Sequence, residues 1–187
     1  MNPRVLLLAT LIALSSTWPV VADTGGQAQA QRVLGYLMSF FDLDLKLADH
    51  VRATAPELMP AAARIDLDEL AARLSLPLSR SLAPDEASAC LAFVDSPHAR
   101  VALDATEGRT SQQALAAIRE LPTESQAAIE GFFRLPCAQK SIEFLASPEA
   151  KRISQAYGKE VGCGHLARTE PEVHARARER GECPLDP

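Results

Sequence analysis

The chain has 187 residues, 47% hydrophobic and 23% charged, and 19 Lys and Arg against 24 Asp and Glu give a net charge of −5. An acidic balance without a basic run excludes a nucleic-acid surface built on clustered Lys and Arg, and argues equally against an anionic membrane surface. The length suits one domain with its own core.

Residues 1–22, "MNPRVLLLATLIALSSTWPVVA", carry one cation, Arg4, then an apolar run from Val5 to Leu14 and a polar stretch ending in Val20-Val21-Ala22. That order, with small residues at −3 and −1, predicts a secretory signal peptide cleaved before Asp23. The apolar run is about half the roughly 20 residues that a spanning helix needs, so no membrane span is expected after cleavage. Without Arg4, 18 basic residues face 24 acidic ones in the remaining 165, a net −6. Cys90, Cys137, Cys163 and Cys183 all lie in the exported part. An even cysteine count in an oxidising compartment points to two disulfides.

The exported part, 23–187, is expected to be a single all-α domain. Its first section, 26–75, reads as N-terminal helices, because Val33, Leu34, Leu37, Met38 and Phe41 follow the 3.6-residue period. "DLDLKL" (42–47) alternates as a strand would, but it continues the helical pattern and is read as helix. Asp66-x-x-Glu69 resembles a capping box, as do Thr110-x-x-Gln113, Thr123-x-x-Gln126 and Thr169-x-x-Glu172 further on. "LSLPLSRSLAP" (74–84), with Pro77 and Pro84, reads as an extended connection.

The section 84–161 contains a repeat. Aligned on Ser-Pro, "LAFVDSPHARVAL" (91–103) faces "IEFLASPEAKRIS" (142–154), matching Phe93 with Phe144, Ser96 with Ser147, Pro97 with Pro148 and Arg100 with Lys151. "GFFRLPCAQK" (131–140) is a weaker third copy, with Leu135 in place of Ser. Proline biases the residue before it away from the helical region, serine is a favoured N-cap, and proline is best tolerated in the first helical turn. Each Ser-Pro therefore ends one helix and starts the next, and the Phe ahead of it anchors the corner in the core. The fold class follows: a helical bundle with a repeated helix–Ser-Pro corner–helix unit.

The doubled Phe-x-x-Ser-Pro-x-small-basic pattern resembles the bacterial family named domain of unknown function 2059, over about residues 84–161. The chain departs from that pattern at Ala99 and Ala150, where glycine would be expected, and in its four cysteines. The resemblance implies a helical periplasmic domain and no particular activity.

The C-terminal section, 163–187, is read as a helix from Glu170 to Arg180 bracketed by cysteines. Cys163, His165, His174 and Cys183 form a conceivable tetrahedral zinc set. Their spacing matches no standard metal module, and disulfide formation competes for both thiols. Four thiols allow three connectivities. The favoured one is Cys163–Cys183 with Cys90–Cys137, because a charged, apolar-poor terminal helix frays unless tied down. That pairing requires residues 164–169 to run back along the helix. If they do not, Cys137–Cys163 is the natural rival.

Enzymatic readings find little support. Ser96 and Ser147 are explained by capping, no G-x-S-x-G elbow occurs, and His98 beside Ser96 is replaced by Glu149 in the second copy. Acid groups such as Asp42/Asp44 and Asp66/Asp68/Glu69 read as solvated or capping residues rather than a glycosidase pair. No phosphate-binding glycine loop occurs, Gly162 and Gly164 suit a helix C-terminus, and no cofactor is expected. Phe40-Phe41 and Phe132-Phe133 are adjacent pairs, so one member of each should face the core and the other be partly exposed; an exposed aromatic would suit a partner, but core packing is the default reading.

The sequence thus predicts an exported, non-enzymatic helical protein of the bacterial periplasm acting on an unknown protein partner. Its role would be that of a chaperone or assembly factor, or of an inhibitor or immunity protein. The alternative is a small metal-binding protein or enzyme built on the C-terminal Cys/His cluster. If the leader is processed as predicted, the intact mass of the exported protein starts at Asp23. Recovery of Met1 on a membrane-bound form would contradict that assignment.

Overall fold

Proline decides where many of the helices start. The structure, a computed structural model, describes residues 24–54 and 59–183; the expected signal peptide and residues 184–187 lie outside them. Eleven helices and no strand occur among the described residues: α1 Thr24–Phe40, α2 Leu43–Thr54, α3 Met59–Ala62, α4 Leu67–Ser79, α5 Pro84–Val94, α6 Pro97–Thr106, α7 Ser111–Arg119, α8 Thr123–Arg134, α9 Pro136–Leu145, α10 Pro148–Thr169 and α11 Pro171–Glu179. Five of them begin on a proline, where the missing N–H costs nothing because the first turn leaves it unpaired anyway.

The two Ser-Pro corners are nearly superimposable in backbone. Asp95 and Ala146 sit at φ/ψ of −85/−2° and −81/−8°, and the serines after them at −82/156° and −72/156°. Ser96 Oγ accepts from the Ala99 amide at 3.3 Å and Ser147 Oγ from the Ala150 amide at 3.1 Å. The Phe carbonyl closes each corner, accepting from the amide three residues on: Phe93 from Ser96 at 2.8 Å, Phe144 from Ser147 at 2.9 Å. Phe132 accepts from Leu135 in the same way at 2.9 Å, so the third copy makes the turn without a side-chain cap. Ala99 and Ala150 are buried, so a methyl group fits where the family resemblance implies glycine.

α1 is the central element. Val33, Tyr36 and Leu37 on one side join Cys90, Ala99, Phe132, Cys137 and Ala138; Ala30, Leu34 and Met38 on the other join Ala71, Leu74, Leu78 and Ala150. The Cys90–Cys137 disulfide, with Cα atoms 6.1 Å apart, ties α5 to α9 inside the first cluster. Of the corner aromatics, Phe132 is fully buried, while Phe93 and Phe144 are half-buried. Phe93 stacks on Phe132 with ring centroids 4.5 Å apart, and Tyr36 meets both edge-on.

Three expectations about the chain's path need correction. Residues 74–79 are helix, not an extended connection, and Pro77 lies inside α4. Leu74 and Leu78 bury completely against α1, which outweighs the hydrogen bond that Pro77 forfeits. Serine hydroxyls satisfy nearby carbonyls at this end of the helix: Ser75 bonds Ala72 O, Ser79 bonds Leu76 O and Ser81 bonds Leu78 O. Residues 43–47 are helix as expected, the start of α2, but α2 does not continue α1: the chain turns at Asp42, whose φ of 48° ends the first helix.

Lastly, α10 runs past Gly162 and Gly164 to Thr169, so residues 164–169 are helix rather than a returning loop. Glycine weakens a helix by about 1 kcal/mol relative to Ala but does not stop it, and the next true stop is Pro171. The return run is made by α11 itself. It ends in a Schellman cap: Gly181 at φ 69°, with Glu182 N–H on Ala177 O at 2.9 Å and Gly181 N–H on Arg178 O at 2.9 Å. Cys183 thereby reaches Cys163, Cα to Cα 5.7 Å, and the two enclose Ala177 in a small apolar cluster.

Of the expected capping boxes, Thr110–Gln113 is reciprocal, with the Gln113 amide on Thr110 Oγ1 at 3.3 Å and the Thr110 amide on Gln113 Oε1 at 3.0 Å. Asp66 caps α4 through the amides of Asp68 and Glu69, but its own N–H goes to the Tyr157 hydroxyl at 3.0 Å rather than to Glu69. Thr123 and Thr169 are not N-caps. Gln126 instead serves the carbonyls of Arg119 and Leu121, and Thr169 bonds His165 O within α10.

Ser147→Ala should cost about 0.5–2 kcal/mol in denaturant unfolding, Phe132→Ala about 3–5 kcal/mol, and Phe144→Ala less than Phe132→Ala because its ring is only half-buried. Replacing Cys163 and Cys183 by serine should remove about 3 kcal/mol in the chain-entropy model. Hydrogen exchange should then show the α11 amides losing protection while those of α1 keep theirs.

Candidate functional site

Asp42 shapes a largely apolar hollow among the described residues. A left-handed backbone is tolerable for Asp, whose short side chain can bond locally. Here its Oδ2 accepts from the amide of Gly108, at 2.9 Å. Gly108 itself is left-handed, φ 65°, in the turn between α6 and α7. This bond between two turns brings α7 alongside the end of α1.

The result is a groove of about 220 Å³ lined by Phe40, Phe41, Ala114, Leu115 and Ile118, with Lys46 and Arg109 among its polar residues. α7 is amphipathic, yet no residue of it is buried, and Leu115 is 56% exposed. The groove's aromatic wall is continuous with the core. Phe40 and Phe41 both touch Phe133, at 5.0 and 6.2 Å between centroids, and Phe133 touches the buried Phe132 at 5.1 Å. Lys46 Nζ stands 5.7 Å over the Phe41 ring, and Arg109 Nη1 donates to the Asp104 carbonyl at 2.8 Å. An apolar floor with two cations and one carboxylate, Asp42, at its lining can hold an apolar side chain and a negative charge together.

The aromatic pairs divide only in part as expected. Phe132 faces the core and Phe133 is half-buried, but Phe40 and Phe41 are both half-buried. The α1–α2 turn carries Phe41 out of line with the α1 stripe, and the sequence period alone does not reveal that.

The other candidate residues are engaged elsewhere. Cys163 and Cys183 are bonded to each other, so neither is a thiolate and the Cys163, His165, His174, Cys183 zinc set loses half its ligands. No group of three His, Cys, Asp or Glu among the described residues is placed to hold a metal. Three of the acid groups have structural duties: Asp42 serves Gly108, Asp66 caps α4, and Glu69 pairs with Arg73 at 2.6 Å. Asp44 stays near Asp42 and Asp66, and burial followed by these two charges raises its carboxyl above the usual carboxylate range.

His98 turns away from Ser96 to a residue that the sequence did not single out. Its Nδ1 lies 3.1 Å from Ser125 Oγ, and its Nε2 3.8 Å from Glu124. The residue types are those of a hydrolytic triad, but Ser125 is 6% exposed, which leaves its hydroxyl no approach for an acyl substrate. The contact is a strut between α6 and α8. A second strut joins α9 to the start of α5: Lys140 Nζ binds Glu86 at 2.7 and 2.8 Å and the Ser81 carbonyl at 3.1 Å. The Lys140 bond, reinforced by the Ala83 amide, holds the Glu86 carboxyl below its usual range.

No described helix is long and apolar enough to cross a membrane, and two disulfides belong to an oxidising compartment. Compared with known proteins, the chain matches no family model, no curated protein and no solved structure.

Proposed function

We propose that this is an exported, non-enzymatic protein of the bacterial periplasm that acts by protein–protein contact, with the α7 groove as its docking site. The occupant is a segment of a partner protein that presents an apolar side chain next to an acidic one. The observation carrying this reading is α7 itself: a capped, amphipathic helix whose apolar residues line a groove without any being buried. Charge supports the stated chemistry, since Lys46 and Arg109 against the one carboxylate of Asp42 leave the groove a net positive charge in a chain whose total is −5. Complementary charge of this kind guides orientation and rate of association, while the aromatic floor supplies the buried anchor. Both an assembly factor and an inhibitor of a secreted toxin would use such a site. The alternative built on a C-terminal metal site loses its support with the Cys163–Cys183 bond.

The test is photo-crosslinking in the exporting cell from residue 115, with the exposed Leu76 position on α4 as control. Position 115 should give one discrete adduct that Lys46→Glu abolishes, and position 76 should give none. Equal adducts from both positions, or an adduct indifferent to Lys46→Glu, would reject the groove as the docking site. Leu115→Asp should also abolish binding while shifting stability by no more than about 0.5 kcal/mol, as for a surface substitution.

A further inference from the structure

A second hollow, of about 390 Å³, lies between the α3–α4 turn and α10, away from the α7 groove. Arg64, Glu69, Tyr157, Glu160, Gly164 and Arg168 line it. From the geometry we infer that it is an oxyanion-binding site, taking a carboxylate or phosphate group between the guanidinium groups of Arg64 and Arg168.

Both carboxylates of the hollow are already paired. Arg73 lies over the Tyr157 ring, 4.5 Å from its centroid, and clamps both acids of the hollow. It donates to Glu69 Oε1 at 2.6 and 3.2 Å, and to the two oxygens of Glu160 at 2.7 and 3.0 Å. Those bonds lower the Glu160 carboxyl below its usual range, so it stays ionised and paired. The Tyr157 hydroxyl is equally committed: it accepts from the Asp66 amide at 3.0 Å and lies 3.1 Å from Glu69 Oε2.

Arg64 and Arg168 are different. Neither side chain has a hydrogen-bond or ion-pair partner among the described residues, although both face the same hollow. Counting Arg73, three guanidinium groups stand against two carboxylates, an excess of one positive charge in a chain whose total is negative. Arg168 Nη1 lies 3.6 Å from where a Cβ of Gly164 would stand, so the guanidinium lies beside this glycine, one turn earlier on α10, while the residue as a whole stays exposed. Guanidinium groups bind carboxylate and phosphate oxygens through paired N–H donors, and two of them around one hollow form a fork for an oxyanion. The α10–Tyr157–Asp66 bond fixes the distance between the two arginine-bearing segments.

The test is an NMR titration of the full ¹⁵N-labelled chain with sodium phosphate and, separately, sodium acetate, with ionic strength held constant by sodium chloride. Saturating shifts at the Gly164 amide and at the Nε–H groups of Arg64 and Arg168 are expected with at least one of the two anions. Whichever saturates at lower concentration identifies the ligand's acid group. Arg64→Gln and Arg168→Gln should each weaken binding at least tenfold, while Arg152→Gln, at an exposed site on the same helix, should leave it unchanged. Gly164→Val keeps both arginines but fills the floor of the hollow, and it too should weaken binding tenfold. Shifts that stay linear in both anions, or that survive Arg168→Gln with the amide spectrum otherwise intact, would overturn the site.

Discussion

Proline's inability to extend a helix from behind is the constraint on which the rest of this fold depends. At four points, before Pro97, Pro136, Pro148 and Pro171, the chain is forced out of one helix and, because proline suits a first turn, straight into another. At three of these the same Phe carbonyl to N-cap amide bond closes the corner, and at two of those three a serine hydroxyl adds its cap. The repeated corner fixes direction as well as length. It delivers Phe93 and Phe132 to one place, where they stack, and Phe144 to another beside Ala71, Leu74 and Ala150. A sequence with few large aliphatic residues in its second half thus still builds two apolar clusters around α1.

Those clusters show how the interior is economised. Many of the buried side chains are alanines, which let helices approach closely but fill little volume. Aromatic rings and a disulfide supply the bulk in the first cluster. Tyr36 is part of this arrangement, and its hydroxyl is buried with no hydrogen-bond partner among the described residues. Burial raises its pKa well above the ordinary phenol value, so it remains a neutral, ring-packed group. The benefit is the ring's edge contacts with two phenylalanines, against the cost of one unsatisfied hydroxyl.

How much of this was legible in the residues depends on the range of the forces involved. The Ser-Pro corners, the Thr110 cap and the α1 stripe are local, set within four residues of themselves, and the sequence displays them directly. Pro77 was misleading because a local penalty lost to burial of Leu74 and Leu78 against a helix some forty residues earlier. Gly162 and Gly164 misled for the opposite reason: they are permissive in a helix end but do not compel one. The α7 groove depends on Asp42 meeting Gly108 across 66 residues, a contact with no sequence pattern, although the amphipathic run from Ala114 to Ile118 was there to be noticed. Arg73 between Glu69 and Glu160 was equally hidden, since one partner is four residues away and the other 87.

The order of the disulfides along the chain has a consequence for biogenesis. Cys90 joins Cys137 and Cys163 joins Cys183, so the two loops follow one another without overlapping. A chain threaded into an oxidising compartment from its N-terminus would expose its thiols in that same order. Each native bond then links a cysteine to the next one to emerge, and a donor of disulfides acting on the newest pair produces the correct connectivity at first pass. Reshuffling through mixed disulfides, the slow step for proteins whose bridges interlace, has no obligatory place in the maturation of this one.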